Sequence, residues 1–266
     1  MGFIPFNQTM IKSFNALRYS ASTQISLAVW VLTMLSLPML GWILGEGYML
    51  RGMSVGVLMQ SATVLIILHN AWGAARTAKT FAIVAVLSYL AELLGSQTGI
   101  PFGKYHYTDL LQPQLAGVPL LIPLAWLMML PPAWAIAQLI VPRSQPRAPI
   151  YTVLISALAF TAWDLFLDPQ MVRMGFWVWQ QPGLYFGIPL ANYLGWLLIS
   201  ALITLAVNPK ELPAGPLSLV YVLTWILQTV GQSLFWEQPG PAIFGFFGAG
   251  IFVALAVRAS FLEGRR

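Results

Sequence analysis

The chain has 266 residues, of which 58% are hydrophobic and only 8% charged, with a mean hydropathy of +0.75. So little polar surface cannot wrap such a core in water, which excludes a soluble globular domain and turns the excess apolar area toward lipid. The net charge of +5 comes from basic residues scattered between apolar runs, a topology signal rather than a nucleic-acid surface, and the lack of cysteine excludes disulfides, thiolate ligands and Fe–S centres.

In chain order, Met10, Ile11, Phe14 and Leu17 form a helical apolar stripe flanked by Lys12 and Arg18, so residues 1–23 hold a candidate interfacial segment. Eight apolar segments follow, at Gln24–Leu44, Met53–Trp72, Thr80–Gly95, Val118–Val141, Ile150–Leu167, Ile188–Val207, Pro216–Trp236 and Pro241–Val257. Most approach the roughly 20 residues that cross a hydrocarbon core. The first is too long and too far from Met1 to be a signal-peptide core, so it reads as a retained helix. With the N-terminus inside, one side carries Lys12, Arg18, Arg76, Lys79, Arg143, Arg147, Lys210, Arg258, Arg265 and Arg266; the other carries Arg51, Lys104 and Arg173. That bias predicts an all-α polytopic bundle of about eight transmembrane helices with both termini cytoplasmic, placed in the cell (inner or plasma) membrane. Residues 1–266 read as one transmembrane domain whose surroundings are the lipid bilayer, with no nucleic acid.

This topology sorts the acids. Glu46, Glu92, Asp109, Asp164, Asp168 and Glu237 fall at or near the outer side. Glu46 and Asp109 read as groups meeting headgroups and water, and Glu237 stays open. Glu92, Asp164 and Asp168 are enclosed in apolar or aromatic sequence, where acids are expensive and rarely idle. The three are expected in the last turns of the third and fifth segments, Asp168 ending its helix because Pro169 follows. A helix C-terminus and a desolvated setting both disfavour the carboxylate form, which makes these carboxyls candidate proton donors. The spacing of Asp164 and Asp168 places them on one helix face.

Rings concentrate in the same two loops. Tyr105, His106 and Tyr107 lie in the second outer loop, and Trp163, Phe176, Trp177, Trp179, Tyr185, Phe186, Tyr193 and Trp196 surround the third. About half of such residues serve as interfacial anchors; the others can hold a cation against their faces. Trp179-Gln180-Gln181-Pro182-Gly183 recurs as Trp236-Glu237-Gln238-Pro239-Gly240, a short internal repeat. No phosphate loop or dinucleotide fingerprint is present. The two histidines, His69 and His106, fall on opposite predicted faces, which argues against a histidine-clustered metal site and a membrane desaturase. His69 reads as a helix-packing residue. Asp164-x-x-x-Asp168 could hold Mg²⁺-diphosphate, but it has no second acid-rich motif and few cations nearby.

Between about residues 80 and 200 the motifs form a set. They are Glu92-x-x-Gly95, Gly99-x-Pro101-Phe102-Gly103-x-Tyr105-x-Tyr107, Val118-Pro119, Ile122-Pro123-Leu124-Ala125-Trp126, Trp163-Asp164 to Asp168-Pro169-x-Met171, and Trp177-x-Trp179. Tyr185-Phe186-Gly187-Ile188-Pro189-x-x-Asn192-Tyr193-x-Gly195-Trp196 completes it. This set resembles the carotenoid biosynthesis family that contains the carotenoid 1',2'-hydratases. The resemblance implies an integral-membrane hydratase adding water to the terminal double bond of an acyclic carotenoid end group, such as that of γ-carotene or bisanhydrobacterioruberin. The substrates would be the carotenoid and water, and other carotenoid biosynthesis enzymes would be candidate partners.

Hydrating a trisubstituted alkene needs a proton donor, shelter for a tertiary cation and a group to position water, with no metal or other cofactor. The acids supply the expected catalytic residues: Asp168 or Asp164 as acid and Glu92 as the base that orients water. Tyr105, Tyr107, Trp163, Trp177, Asn192 and Trp196 are the expected substrate-binding residues, with Tyr105, Asn192 and Gln97 as hydrogen-bonding partners. Two other readings stay open: another isoprenoid carbocation enzyme (a carotenoid cyclase or prenyltransferase), and a transporter or non-catalytic protein of pigment assembly.

Overall fold

The computed structural model describes residues 19–142 and 144–263. The N-terminal stripe and five of the basic residues used for topology (Lys12, Arg18, Arg143, Arg265 and Arg266) lie outside them. Among the described residues, seven helices are long and apolar enough to cross a membrane: α1 (Ala21–Leu44), α2 (Glu46–Thr98), α3 (Leu121–Ile140), α4 (Ala148–Arg173), α5 (Leu190–Val207), α6 (Ala214–Leu234) and α7 (Pro239–Glu263). At about 1.5 Å per residue, the 53 residues of α2 would run to roughly 80 Å, far beyond a ~30 Å hydrocarbon core. The helix is broken at Gly73, with φ 77° and ψ 174°, a conformation that glycine reaches at little steric cost. The two arms, 46–72 and 74–98, correspond to the second and third expected segments, so the described residues form eight rods. Large apolar side chains lie bare along its outside, among them Ile43, Leu190, Leu234 and Phe261. The protein is a multi-pass membrane protein.

The helix at the centre is α3. It packs against α2, α4, α6 and α7, and its side chains from Leu127 to Ala137 are all buried. Prolines inside the helices remove amide donors, and at two of them side chains from elsewhere in the fold supply replacements, the condition on which membrane helices tolerate proline. Pro132 leaves the Met128 carbonyl without its helical donor, and Gln60 Nε2 approaches it at 3.4 Å. Pro169 does the same to Leu165, whose carbonyl accepts from the Tyr185 hydroxyl at 3.0 Å. The expectation that Pro169 ends the helix is therefore wrong: with that carbonyl satisfied, α4 continues to Arg173.

The connections sort to two ends. At one, the Arg76 guanidinium donates to the Lys210 carbonyl and pairs with Glu211 at 3.6 Å. At the other, Arg173 pairs with Glu237 at 2.8 Å across the surface, which settles Glu237 as a solvated ion-pair partner. Glu46 and Asp109 are exposed, as expected for wet groups. His69 is also exposed and lines a shallow surface hollow, not a helix-packing contact.

The loop after α2 begins at Gly99, φ 82°, and folds back over the bundle. Phe102 is clamped there between two glycines. A Cβ on Gly95 would lie 2.5 Å from Phe102 Cδ2, and one on Gly195 would lie 2.6 Å from Cδ1. Gly195→Ala must displace this ring and, through it, the strand that follows. The expected cost is about 1–3 kcal/mol, the scale of overpacking, read as a lowered unfolding temperature in detergent. An unchanged midpoint would show that the clamp carries no such constraint.

Candidate active site

Two short strands far apart in sequence build the roof of the site. β1 (Tyr105–Tyr107) pairs antiparallel with β4 (Trp177–Trp179), Tyr105 opposite Trp179 and Tyr107 opposite Trp177. (β2, Gln114–Leu115, and β3, Val118–Pro119, form a separate small hairpin.) Because side chains alternate along a strand, all four rings of β1 and β4 face inward while His106 and Val178 are exposed. Ring centroids are 4.9 Å apart for Tyr105–Trp179 and 5.8 Å for Tyr107–Trp177. These rings are inner walls rather than interfacial anchors.

The two tyrosines converge on Glu92, which is 4% exposed. Glu92 Oε2 accepts from the Tyr105 hydroxyl and from Tyr107 at 2.8 Å, and Oε1 accepts from Trp126 Nε1 at 3.1 Å. Three donors around one carboxyl is the arrangement an acceptor-only carboxylate satisfies. Burial first, and then the neighbouring Glu92 carboxylate, hold both phenols well above their ordinary value. Both phenols therefore stay O–H donors near neutral pH.

Asp164 and Asp168 are 0% and 2% exposed. One amide joins them: Asn192 Nδ2 donates to Asp164 Oδ2 at 2.8 Å and also to Asp168 Oδ2. Asp168 Oδ1 accepts from Trp177 Nε1 at 2.6 Å, whereas Asp164 Oδ1 has no partner. Among the described residues the ion pairs are the two surface ones, so no cation offsets these three buried acids. Three uncompensated charges in an apolar interior would be very costly. Two carboxyls bridged by one amide are the natural place for a retained proton.

These groups meet at a cavity of about 100 Å³, room for a few waters at ~30 Å³ each. Glu92, Asp168, Asn192, Tyr105, Tyr107, Trp163, Trp177 and Trp196 all line it; Asp164 does not, and sits behind Asp168. Trp196 stacks on Trp126 with centroids 4.8 Å apart and on Phe160 at 5.1 Å. The remaining walls are mostly apolar and include Trp30 and Met34 of α1.

Of the expected site residues, one is misplaced: Gln97 is exposed near the end of α2 and makes no contact with the acids. The acids also lie deeper than expected. Glu92 is six residues before the end of α2, and Asp164 and Asp168 are nine and five before the end of α4. A helix dipole fades within the last turn, so burial and hydrogen bonding dominate instead. Sequence reasoning gave no role to Trp126, although it stands in the Pro123-Leu124-Ala125-Trp126 motif. Its period from the other motifs carries no sign that its indole would reach Glu92 from another helix.

Comparison with known proteins follows the same outline. A family model described as "Carotenoid biosynthesis protein" matches residues 52–252. A bisanhydrobacterioruberin hydratase from Haloarcula japonica is 32% identical over 180 residues, which are 63% of this chain and 60% of that protein. The chain thus covers less than two thirds of that relative's length. No solved structure matches. The residues matched by the family model run from the first arm of α2 into α7 and include the three buried acids, Asn192 and every ring of the cavity except Trp30 of α1, and the chain belongs to the carotenoid biosynthesis protein family.

Proposed function

We propose that this protein is a carotenoid hydratase, acting by proton transfer to the terminal double bond of an acyclic end group. The observation that carries the reading is the Asp168–Asn192–Asp164 unit, buried without a cation and facing an aromatic cavity through Asp168. The family and the similarity to a protein named as a hydratase supply the substrate class.

In this mechanism the Asp168 carboxyl gives its proton to the less substituted alkene carbon, using the π pair to form the new C–H bond. The tertiary cation left behind is stabilised by the faces of Trp126, Trp163 and Trp196 and by the carboxylates. Glu92 keeps a lone pair on Oε1 beyond the Trp126 bond, which orients the attacking water. The water oxygen forms the C–O bond, its surplus proton passes to carboxylate oxygen, and return of that proton to the aspartate pair resets the site. Tyr105 and Tyr107 hold Glu92 in place throughout. Asn192 keeps the two aspartates together.

Expression in a host that makes an acyclic or monocyclic carotenoid tests this directly. The expected product is heavier by one water, its hydroxyl labelled from H₂¹⁸O and not from ¹⁸O₂. A hydroxyl drawn from ¹⁸O₂, or a cyclised product without added water, would overturn the reading.

Residues 1–266 act as one unit in this proposal, in the cell membrane, with both termini cytoplasmic and the acid cavity toward the outer face. With no native cysteine, single cysteines report side cleanly. Cysteines at 104 and 173 are expected to label from outside and one at 210 from the cytoplasm; the reverse pattern would invert the placement.

A further inference from the structure

Another wall of the same cavity holds a polar cluster that the acid chemistry does not use. Gln170 of α4 and Gln228 of α6 line the cavity, and Gln232, one turn beyond Gln228, sits behind them. Gln170 is 1% exposed and Gln232 is fully buried. Three amides in a membrane interior are costly unless every proton and lone pair is used.

They are not all used. Gln232 Nε2 faces three oxygens: the Phe166 carbonyl at 2.8 Å, Gln228 Oε1 at 3.2 Å and Gln170 Oε1 at 3.3 Å. An amide nitrogen has two hydrogens, so one of the three oxygens is short of a donor. Gln170 Nε2 and Gln232 Oε1 are buried with no partner at all. Turning the amides does not cure this. The Phe166 carbonyl can only accept, so Gln232 must present nitrogen to it, and Gln170 must then present oxygen to Gln232. The orphan Gln170 N–H is fixed by that chain of constraints. The cluster needs a guest that both accepts and donates, which is the chemistry of a hydroxyl oxygen.

We infer that the Gln170–Gln228 wall binds the water molecule consumed in hydration. This rests on the hydratase reading above. Gln170 N–H donates to the water oxygen and Gln228 Oε1 accepts one of its hydrogens. One lone pair is left for the cation and one hydrogen for carboxylate. Alkene and water give the alcohol with nothing else consumed: the acid's proton ends on carbon, and a water proton replaces it on the acid. Gln232 is the positioning residue that holds Gln170 in register.

Protonation and water capture separate in D₂O. A cation that is formed but not captured loses a proton and returns to alkene carrying deuterium. In the unaltered protein, alcohol should dominate over deuterium in recovered alkene. Gln170→Met, similar in length but without the amide, should raise the ratio of exchange to hydration by about tenfold or more, the scale of a misplaced reactant. Gln228→Met should act in the same direction, and it carries the test if Gln170→Met fails to accumulate. Equal falls in exchange and hydration would mean a structural role and overturn the inference. An unchanged ratio, with altered KM only for a hydroxylated carotenoid, would place a substrate alcohol there and also overturn it. Neither alcohol nor exchange in the unaltered protein would instead remove the hydratase reading on which this site depends.

Discussion

Asp168→Asn is expected to lower turnover by at least about 10²-fold, the usual loss on removing a general acid, at normal protein levels. Trp177 Nε1 donates to one oxygen of residue 168 and can only donate, so the new amide must keep oxygen toward it and turn nitrogen toward Asn192. Asn192 can then present its own oxygen to that nitrogen and to a protonated Asp164. The network closes again, the fold survives, and the proton is stranded on Asp164, outside the cavity wall. Asp164→Asn should cost less, because the group facing the cavity remains. Asp109→Asn, on an exposed loop, should be silent. Alcohol formed per enzyme ranks the three; a larger loss for Asp164 than for Asp168 would transfer the acid role to Asp164.

Glu92→Gln is the second large effect, again expected near 10²-fold in turnover for loss of a base. Here, too, the hydrogen-bond pattern predicts a folded variant. Trp126 Nε1 requires an acceptor, so the glutamine oxygen stays toward it and the new NH₂ meets Tyr105 and Tyr107. Hydroxyl oxygens can turn from donating to accepting, so no buried group need be stranded, which otherwise costs about 1–3 kcal/mol. Activity should collapse while the detergent unfolding temperature holds. Retained activity would remove Glu92 from the chemistry, and loss of both together would make it a structural keystone instead.

Much of this protein was written in local pattern. Hydropathy and the spacing of charges established a multi-pass α-helical membrane protein with eight apolar rods, because burial in lipid acts on each run of about 20 residues separately. The same reasoning singled out Glu92, Asp164 and Asp168, since an acid within apolar sequence is conspicuous wherever the chain goes. The tyrosine and tryptophan motifs and Asn192 were also visible, as residue types gathered in two loops.

Tertiary structure decided how these parts meet. No periodicity pairs Tyr105–Tyr107 with Trp177–Trp179 across some 70 residues; the antiparallel register does, and it turns four rings inward. Nothing before Pro169 announces that α4 continues, because the replacement donor is Tyr185, reaching back from the following loop. Trp126 and Gln170 sit on helix faces whose neighbours come from elsewhere in the chain. The type of each residue follows from its own solvent, while hydrogen-bond partnership depends on which surfaces the packed bundle brings within about 3 Å. Sequence thus marked the acids and rings that this membrane protein buries, and the fold decided which of them come within hydrogen-bonding reach of one another.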